Sequence, residues 1–224
     1  MAERRVDLSA ARFDSAALET NKVLKNTYML LGMTLAFSAM TAGVSMALNL
    51  PAIMALVFSI IGFILLFVVH RMADSSKGLP AIFAFTGFMG ASLGPLLNAY
   101  LAMPGGASLV TQSLAGTAFI FFGLSAYALQ SKRDFSFMGG FLFAGLIVAV
   151  VAMIANIFLG IPALSLTISA AVVMVMSGFI LLDTSRIIHG GETNYIRATV
   201  GLYLNIYNIF IHLLSLLGVL GGDD

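Results

Sequence analysis

The chain has 224 residues, of which 60% are hydrophobic and 9% are charged, and its net charge at pH 7 is +1. A soluble domain carries about 25% charged residues, so this composition excludes a protein whose whole surface meets water, and the near-neutral charge indicates no nucleic-acid partner. Cysteine is absent, which removes disulfides, thiolate metal sites and cysteine nucleophiles.

Seven long apolar segments follow one another along the chain. Each is long enough to cross the hydrocarbon of a lipid bilayer as a helix, and too long and too uniformly apolar for a strand of a membrane barrel. They cover residues 27–49, 51–69, 79–101, 107–130, 135–159, 162–182 and 198–220. We therefore expect an all-α membrane protein, a seven-transmembrane-helix bundle formed by residues 27–220, with tails at 1–26 and 221–224.

The amino-terminal tail, residues 1–26, mixes both charge signs with alanine and serine. This composition favours disorder or weak order over a short surface helix. The first apolar segment is about twice as long as a signal-peptide core and lacks a clear small-residue cleavage site, so we interpret it as an uncleaved span.

The positions of lysine and arginine provide a test of the seven predicted spans, because cytoplasmic connections are enriched in basic residues. With seven spans, all eleven basic residues fall on one side of the membrane. They are Arg4, Arg5, Arg12, Lys22, Lys25, Arg71, Lys77, Lys132, Arg133, Arg186 and Arg197. The pattern predicts a cytoplasmic amino terminus and a periplasmic carboxyl terminus, with the tail that ends in Asp223 and Asp224 outside.

The third segment contains glycines at Gly87, Gly90 and Gly94, and the last two form a GxxxG spacing. Such spacing lets two helices approach closely. Because any seven-helix bundle needs small residues, packing inside the bundle is favoured over a dimer contact.

Polar residues concentrate in the seventh segment. Asn205, Asn208, His212 and Ser215 recur at spacings of three, four and three, which places them on one helix face. Two interpretations stay open: hydrogen bonding between helices, or the lining of a cavity or ion path. His212 has no second histidine or carboxylate in its span, so no metal site is expected there.

Asp183 is the acidic residue nearest the membrane interior, at about 32 Å of helix from Pro162. If the sixth helix continues to Gly190, Asp183 and Asn205 face each other at similar depth. The alternative is a pair with Arg186, one turn later at the membrane interface. No nucleophile with an adjacent base, metal cluster or phosphate-binding loop is evident, so neither an enzyme nor a cofactor is expected.

Four sequence blocks resemble the Bax inhibitor-1 family, in particular its enterobacterial member that modulates the membrane-anchored AAA protease FtsH. They are FAFTGFMG at 83–90, KRDFSFMGG at 132–140, SGFILLDTSRIIHGG at 177–191 and ETNYIRATVGLYLNIYNIFIHLLSLLG at 192–218. The resemblance implies a seven-helix fold with a central seventh helix and a place in the bacterial inner membrane. It also implies either protease regulation or a pH-sensitive calcium leak.

In this family the leak is associated with paired aspartates on the sixth and seventh helices, at the positions of Asp183 and Asn205. Two close carboxylates can share a proton and bind calcium, whereas an aspartate with an asparagine carries at most one negative charge. Calcium binding is therefore expected to be weak. The resemblance and Asn205 favour a protein that binds and modulates FtsH, with inhibition as the expected effect, and the pH-sensitive calcium leak channel is the alternative.

Overall fold

Seven long helices make up the part of the chain that the computed structural model describes, namely the backbone of residues 2–221 and the side chains of residues 18–219. They are α1 (Ala2–Ala47), α2 (Ala52–Met72), α3 (Gly78–Leu101), α4 (Gly106–Ser131), α5 (Gly139–Leu159), α6 (Pro162–Ile188) and α7 (Tyr195–Leu220), with a 3₁₀ turn at Ser136–Met138. All seven contain stretches long and apolar enough to cross a membrane. The expected all-α, seven-span architecture is confirmed.

Several helix ends differ from the predicted segments. The apolar part of α1 begins at Leu18, so residues 18–26 are helical and the expectation of weak order there is wrong. Helix α6 continues to Ile188, and α7 begins at Tyr195. The predicted outer location of Asp223 and Asp224 lies outside the described residues.

Glycine permits the sharp ends of two helices. Gly160 closes α5 with φ +61°, and Gly190 follows α6 with φ +73°. Both angles lie in the left-handed region, where a side chain is unfavourable. Pro162 then occupies the first turn of α6, where its missing N–H is not needed.

Helix α7 lies at the centre of the bundle, as the family resemblance implies. It packs against α1, α2, α3, α4 and α6, whereas α5 packs against α6 at the periphery. Tyr203 is 1% exposed, and its hydroxyl lies 2.7 Å from Ser38 Oγ on α1. The hydroxyl of Tyr207 lies 2.8 Å from Ser92 Oγ on α3. These bonds satisfy hydroxyls that lie inside the membrane-spanning bundle.

The GxxxG spacing in α3 serves packing inside the bundle, as predicted. A methyl group at Gly90 would collide with the backbone carbonyl of Ser38, and one at Gly94 would collide with Ser45. Both partners belong to α1. The two glycines therefore set the close approach of α1 and α3.

The connection between α4 and α5 is fixed to the end of α6. The backbone N–H of Phe135 donates to Ser185 Oγ at 3.0 Å, and the Ser185 hydroxyl donates to the carbonyl of Arg133 at 3.2 Å. His189 Nε2 lies 3.1 Å from the carbonyl of Lys132. These contacts lie at the end of the bundle that carries the lysines and arginines, which we call the basic end.

Candidate functional site

Asp183 and Asn205 meet between α6 and α7. The Asn205 amide nitrogen donates to Asp183 Oδ2 at 2.8 Å. Asn205 is 5% exposed, and Asp183 is half-buried. Among the described residues, the ion pair between Asp183 and Arg186 that was the alternative does not form.

Gly201 makes this meeting possible. It precedes Asn205 by one helical turn on the same face of α7, and a methyl group there would lie 3.0 Å from Asp183 Oδ2. A larger side chain would push Asp183 away from α7. Sequence reasoning missed Gly201, although a glycine four residues before a buried asparagine is a recognisable signal of close approach.

A cavity of about 360 Å³ lies beside this pair, between α2, α6 and α7 at the basic end. Five ionisable side chains line it: His70, Asp183, Arg186, Glu192 and Arg197. The two carboxylates are formally balanced by the two guanidinium groups. Calcium sites in proteins gather six to eight oxygen ligands with an excess of negative charge, so this cavity is chemically unlike a strong calcium site.

The rim of the cavity is held by the start of α7. Asn194 caps this helix by accepting from the backbone N–H groups of Ile196 and Arg197, at 2.9 and 3.1 Å. Its amide nitrogen donates to the carbonyl of Ala73 at 2.9 Å and to Asp74 Oδ1 at 2.8 Å. Asp74 also pairs with Arg197. The α2–α3 connection is thereby joined to α7.

The other polar residues of α7 do not join the Asp183 cavity. Asn208 donates to the carbonyl of Leu204 in its own helix at 2.8 Å. His212 Nδ1 lies 3.1 Å from Ser169 Oγ on α6, which is a contact between helices. Ser215 is half-buried. Of the four predicted residues, the structure brings only Asn205 to Asp183.

The hydroxyl partners of α7 on other helices were not found by sequence reasoning. The hydroxyls of Ser38 and Ser92 bond to those of Tyr203 and Tyr207, respectively. Thr199 donates to the carbonyl of Thr27 at 3.2 Å. Single serines and threonines in apolar helices usually bond to their own backbone, so they carry little signal. Only the assembled bundle identifies these partners.

Comparison with known proteins agrees with this architecture. Residues 20–222 match a family described as inhibitor of apoptosis-promoting Bax1. An uncharacterized membrane protein of Vibrio cholerae is 54% identical over 208 residues, which are 92% of this chain and 93% of that protein.

Two relatives from Escherichia coli carry more informative names. The modulator of FtsH protease YccA of strain K12 is 50% identical over 217 residues, covering 96% of this chain and 98% of the relative. The protein of strain CFT073, called inner membrane protein YccA, matches to the same extent. Since both the family match and these relatives cover nearly the whole chain, the protein is a member of the Bax inhibitor-1 family.

Proposed function

We propose that this protein binds the membrane protease FtsH and limits its access to other substrates. The observation that carries the proposal is the 50% identity, over 96% of the chain, to the Escherichia coli protein named as a modulator of that protease. The name of the CFT073 relative supports a location in the bacterial inner membrane.

The peripheral helices offer surfaces for such binding within the membrane. Phe63 and Phe67 on α2, and Phe141 and Phe158 on α5, are all at least 60% exposed. These side chains face lipid in the isolated protein, and a partner's transmembrane helix can pack on them without any loss of backbone hydrogen bonds. Binding through the membrane helices does not require contact with a soluble domain of the partner.

Inhibition can arise because the bound chain is processed slowly. A protease that pulls mechanically on its substrate needs a chain end on its own side of the membrane. We place residues 1–17 on that side, next to the basic end. Extraction of the helices would then expose backbone groups that are satisfied inside the bilayer, which resists unfolding. A bound but slowly extracted chain occupies the protease.

The charge balance of the Asp183 cavity favours this function over the calcium leak. The α6–α7 contact holds one carboxylate, and in the cavity as a whole two guanidinium groups offset the two carboxylates, which provides a poor path for a divalent cation. We infer that protease modulation does not depend on Asp183.

The proposal is tested by reconstituting the protein with FtsH in proteoliposomes and following degradation of a second membrane substrate. The wild-type protein should slow that degradation and copurify with the protease. Asp183→Asn, which preserves side-chain shape while removing the charge, should inhibit equally well. Normal substrate degradation in the presence of excess wild-type protein would refute the proposal.

Deletion of residues 2–17 separates binding from extraction. It leaves the described span Leu18–Ala47 intact, together with Lys22 and Lys25, which support its orientation. The shortened protein should still copurify with FtsH, but should itself be degraded more slowly than the full chain. Loss of copurification would show that the tail, rather than the helices, holds the protease.

A further inference from the structure

A second cavity, of about 420 Å³, lies among α1, α3, α4 and α7. Apolar side chains and glycine form most of its wall, including Ala39, Gly43, Leu97, Leu114, Phe122 and Phe210. Among the described residues, none that lines it is charged. Its volume falls within the range of about 300–1,000 Å³ that is usual for small-molecule sites.

Four hydroxyl groups also border this cavity, and each has a partner within the protein. The hydroxyls of Ser38 and Tyr203 bond to each other, and that of Tyr207 bonds to Ser92. Thr117 donates to the carbonyl of Ser113 at 2.7 Å. The wall therefore presents no unpaired hydroxyl to a ligand, which favours an apolar occupant.

The cavity faces lipid through a gap between α1 and α4. Among the described residues the backbones of these two helices stay apart. On the α4 side of the gap, Leu114 is 54% and Phe122 is 66% exposed, and Gly43 is exposed on the α1 side. Tyr28 and Phe121, with ring centroids 6.0 Å apart, bridge the gap at the end nearer the basic end. The opening therefore leads sideways into the membrane.

The dimensions match one leaflet. The lining residues of α1 fall within 35–46 and those of α4 within 110–122, which correspond to about 16 and 18 Å of helix. Half of the hydrocarbon thickness is about 15 Å. The α1 stretch lies in the half of its span away from the basic end, close to Ala47 where α1 finishes, and the α4 stretch runs from near Gly106, where α4 starts, to just past the middle of that helix.

We propose that this cavity binds one acyl chain of a phospholipid from the leaflet opposite the basic end. The chain enters between α1 and α4 and lies along the bilayer normal against α7, where it fills space that the helices leave open. The inference is independent of protease binding, because it depends only on the shape, polarity and orientation of the cavity.

Two glycines of α1 provide a matched test. A methyl group at Gly43 meets no atom of the described residues within 4 Å, so leucine can replace it without a backbone clash and occupy the opening. Gly32 has equally open surroundings but does not line the cavity. Ala39→Phe is a second filling variant. Circular dichroism and size-exclusion chromatography establish that each variant is folded.

Native mass spectrometry of protein released from nanodiscs of phosphatidylethanolamine and phosphatidylglycerol measures the bound lipid. The wild type and Gly32→Leu should each retain one phospholipid. Occupancy should fall about tenfold in Gly43→Leu and Ala39→Phe, because the new side chain takes the volume of the acyl chain. Equal retention by all four proteins, or no retained phospholipid in the wild type, overturns the inference. The inference is also overturned if the wild type retains no lipid and Gly43→Leu no longer copurifies with FtsH. That result would indicate that a partner helix, rather than a lipid, occupies the gap.

Discussion

Asn205 and Asp183 are joined across α7 and α6 by one hydrogen bond of 2.8 Å, in which the amide nitrogen donates to the carboxylate. An ionised carboxylate only accepts hydrogen bonds, so the contact fixes the orientation of the amide. Its carbonyl oxygen is turned away from the carboxylate. Because asparagine is neutral, the pair carries at most one negative charge.

Replacing Asn205 with aspartate should create a calcium leak that depends on pH. Two carboxylates at this distance share a proton at low pH and carry two negative charges at high pH. In liposomes, Asn205→Asp should therefore leak calcium faster than the wild type, with the leak increasing as pH rises. Fluorescent calcium flux measures both effects.

Asn208→Asp is the matched control, because Asn208 lies on the same helix but bonds to Leu204 rather than to Asp183. It should leave the flux at the wild-type level. A wild-type leak as large and as pH-dependent as that of Asn205→Asp would favour the channel function instead.

The two chain ends should lie on opposite sides of the membrane. Seven spans separate them, and the basic residues predict a cytoplasmic amino terminus. A phosphatase fusion, active only in the periplasm, should be active at the carboxyl end and inactive at the amino end, and a fluorescent-protein fusion should show the reverse. Equal activity at both ends would mean that one segment does not cross.

Gly90→Ala should destabilise the bundle by about 1–3 kcal/mol, the usual cost of overpacking. The added methyl group meets the backbone of Ser38, which cannot rotate aside as a flexible side chain can. Gly32→Ala is the control, since its methyl group meets no atom within 4 Å. Unfolding in mixed detergent micelles measures the difference, and equal stability of the two variants would contradict the close α1–α3 contact.

Asn194→Ala should lower stability by about 1 kcal/mol, as expected for loss of a helix cap. Asn194→Asp keeps the cap acceptor but loses the donors to Ala73 and Asp74. The stability of Asn194→Asp should lie between that of Asn194→Ala and that of the wild type. The exposed pair of Asp74 and Arg197 contributes at most about 1 kcal/mol. Thermal unfolding of the three proteins separates the contribution of the cap from that of the bonds to Ala73 and Asp74, and a fully stable alanine variant would contradict the role of the cap.

The turn at Ser136–Met138 should open at acid pH. Hydrogen bonds from the side chain and backbone N–H of Ser136 lower the pKa of Asp134 below its ordinary value of 3.8. The ionised Asp134 carboxylate therefore stabilises the turn above pH 3.8. This contribution is lost as the pH falls through the lowered pKa of Asp134 in the folded protein. Hydrogen exchange at Ser136, relative to the non-titrating Asp134→Asn, should accelerate below pH 3.8. A constant ratio between the two proteins would show that Asp134 does not hold the turn.

Pairing across helices could be predicted only in part. The depth of Asp183 and Asn205 follows from helix rise, and their meeting was one of two alternatives that the sequence left open. The same periodicity grouped Asn205 with Asn208 and His212, yet the three have different partners. Asn205 bonds to Asp183 on α6, Asn208 bonds within α7, and His212 contacts α6 at another level. A shared helix face does not establish a shared site.

The sequence by itself determined the membrane class, the seven spans, the one-sided distribution of basic residues and the family. These properties follow from hydrophobicity and charge within single segments, because each helix satisfies its own backbone hydrogen bonds in lipid. The tertiary structure decided the fit of Gly201 to Asp183, the hydroxyl partners of Tyr203 and Tyr207, and the gap between α1 and α4. Those features depend on which helix faces touch and which stay apart, and this is set by the packing of all seven helices together.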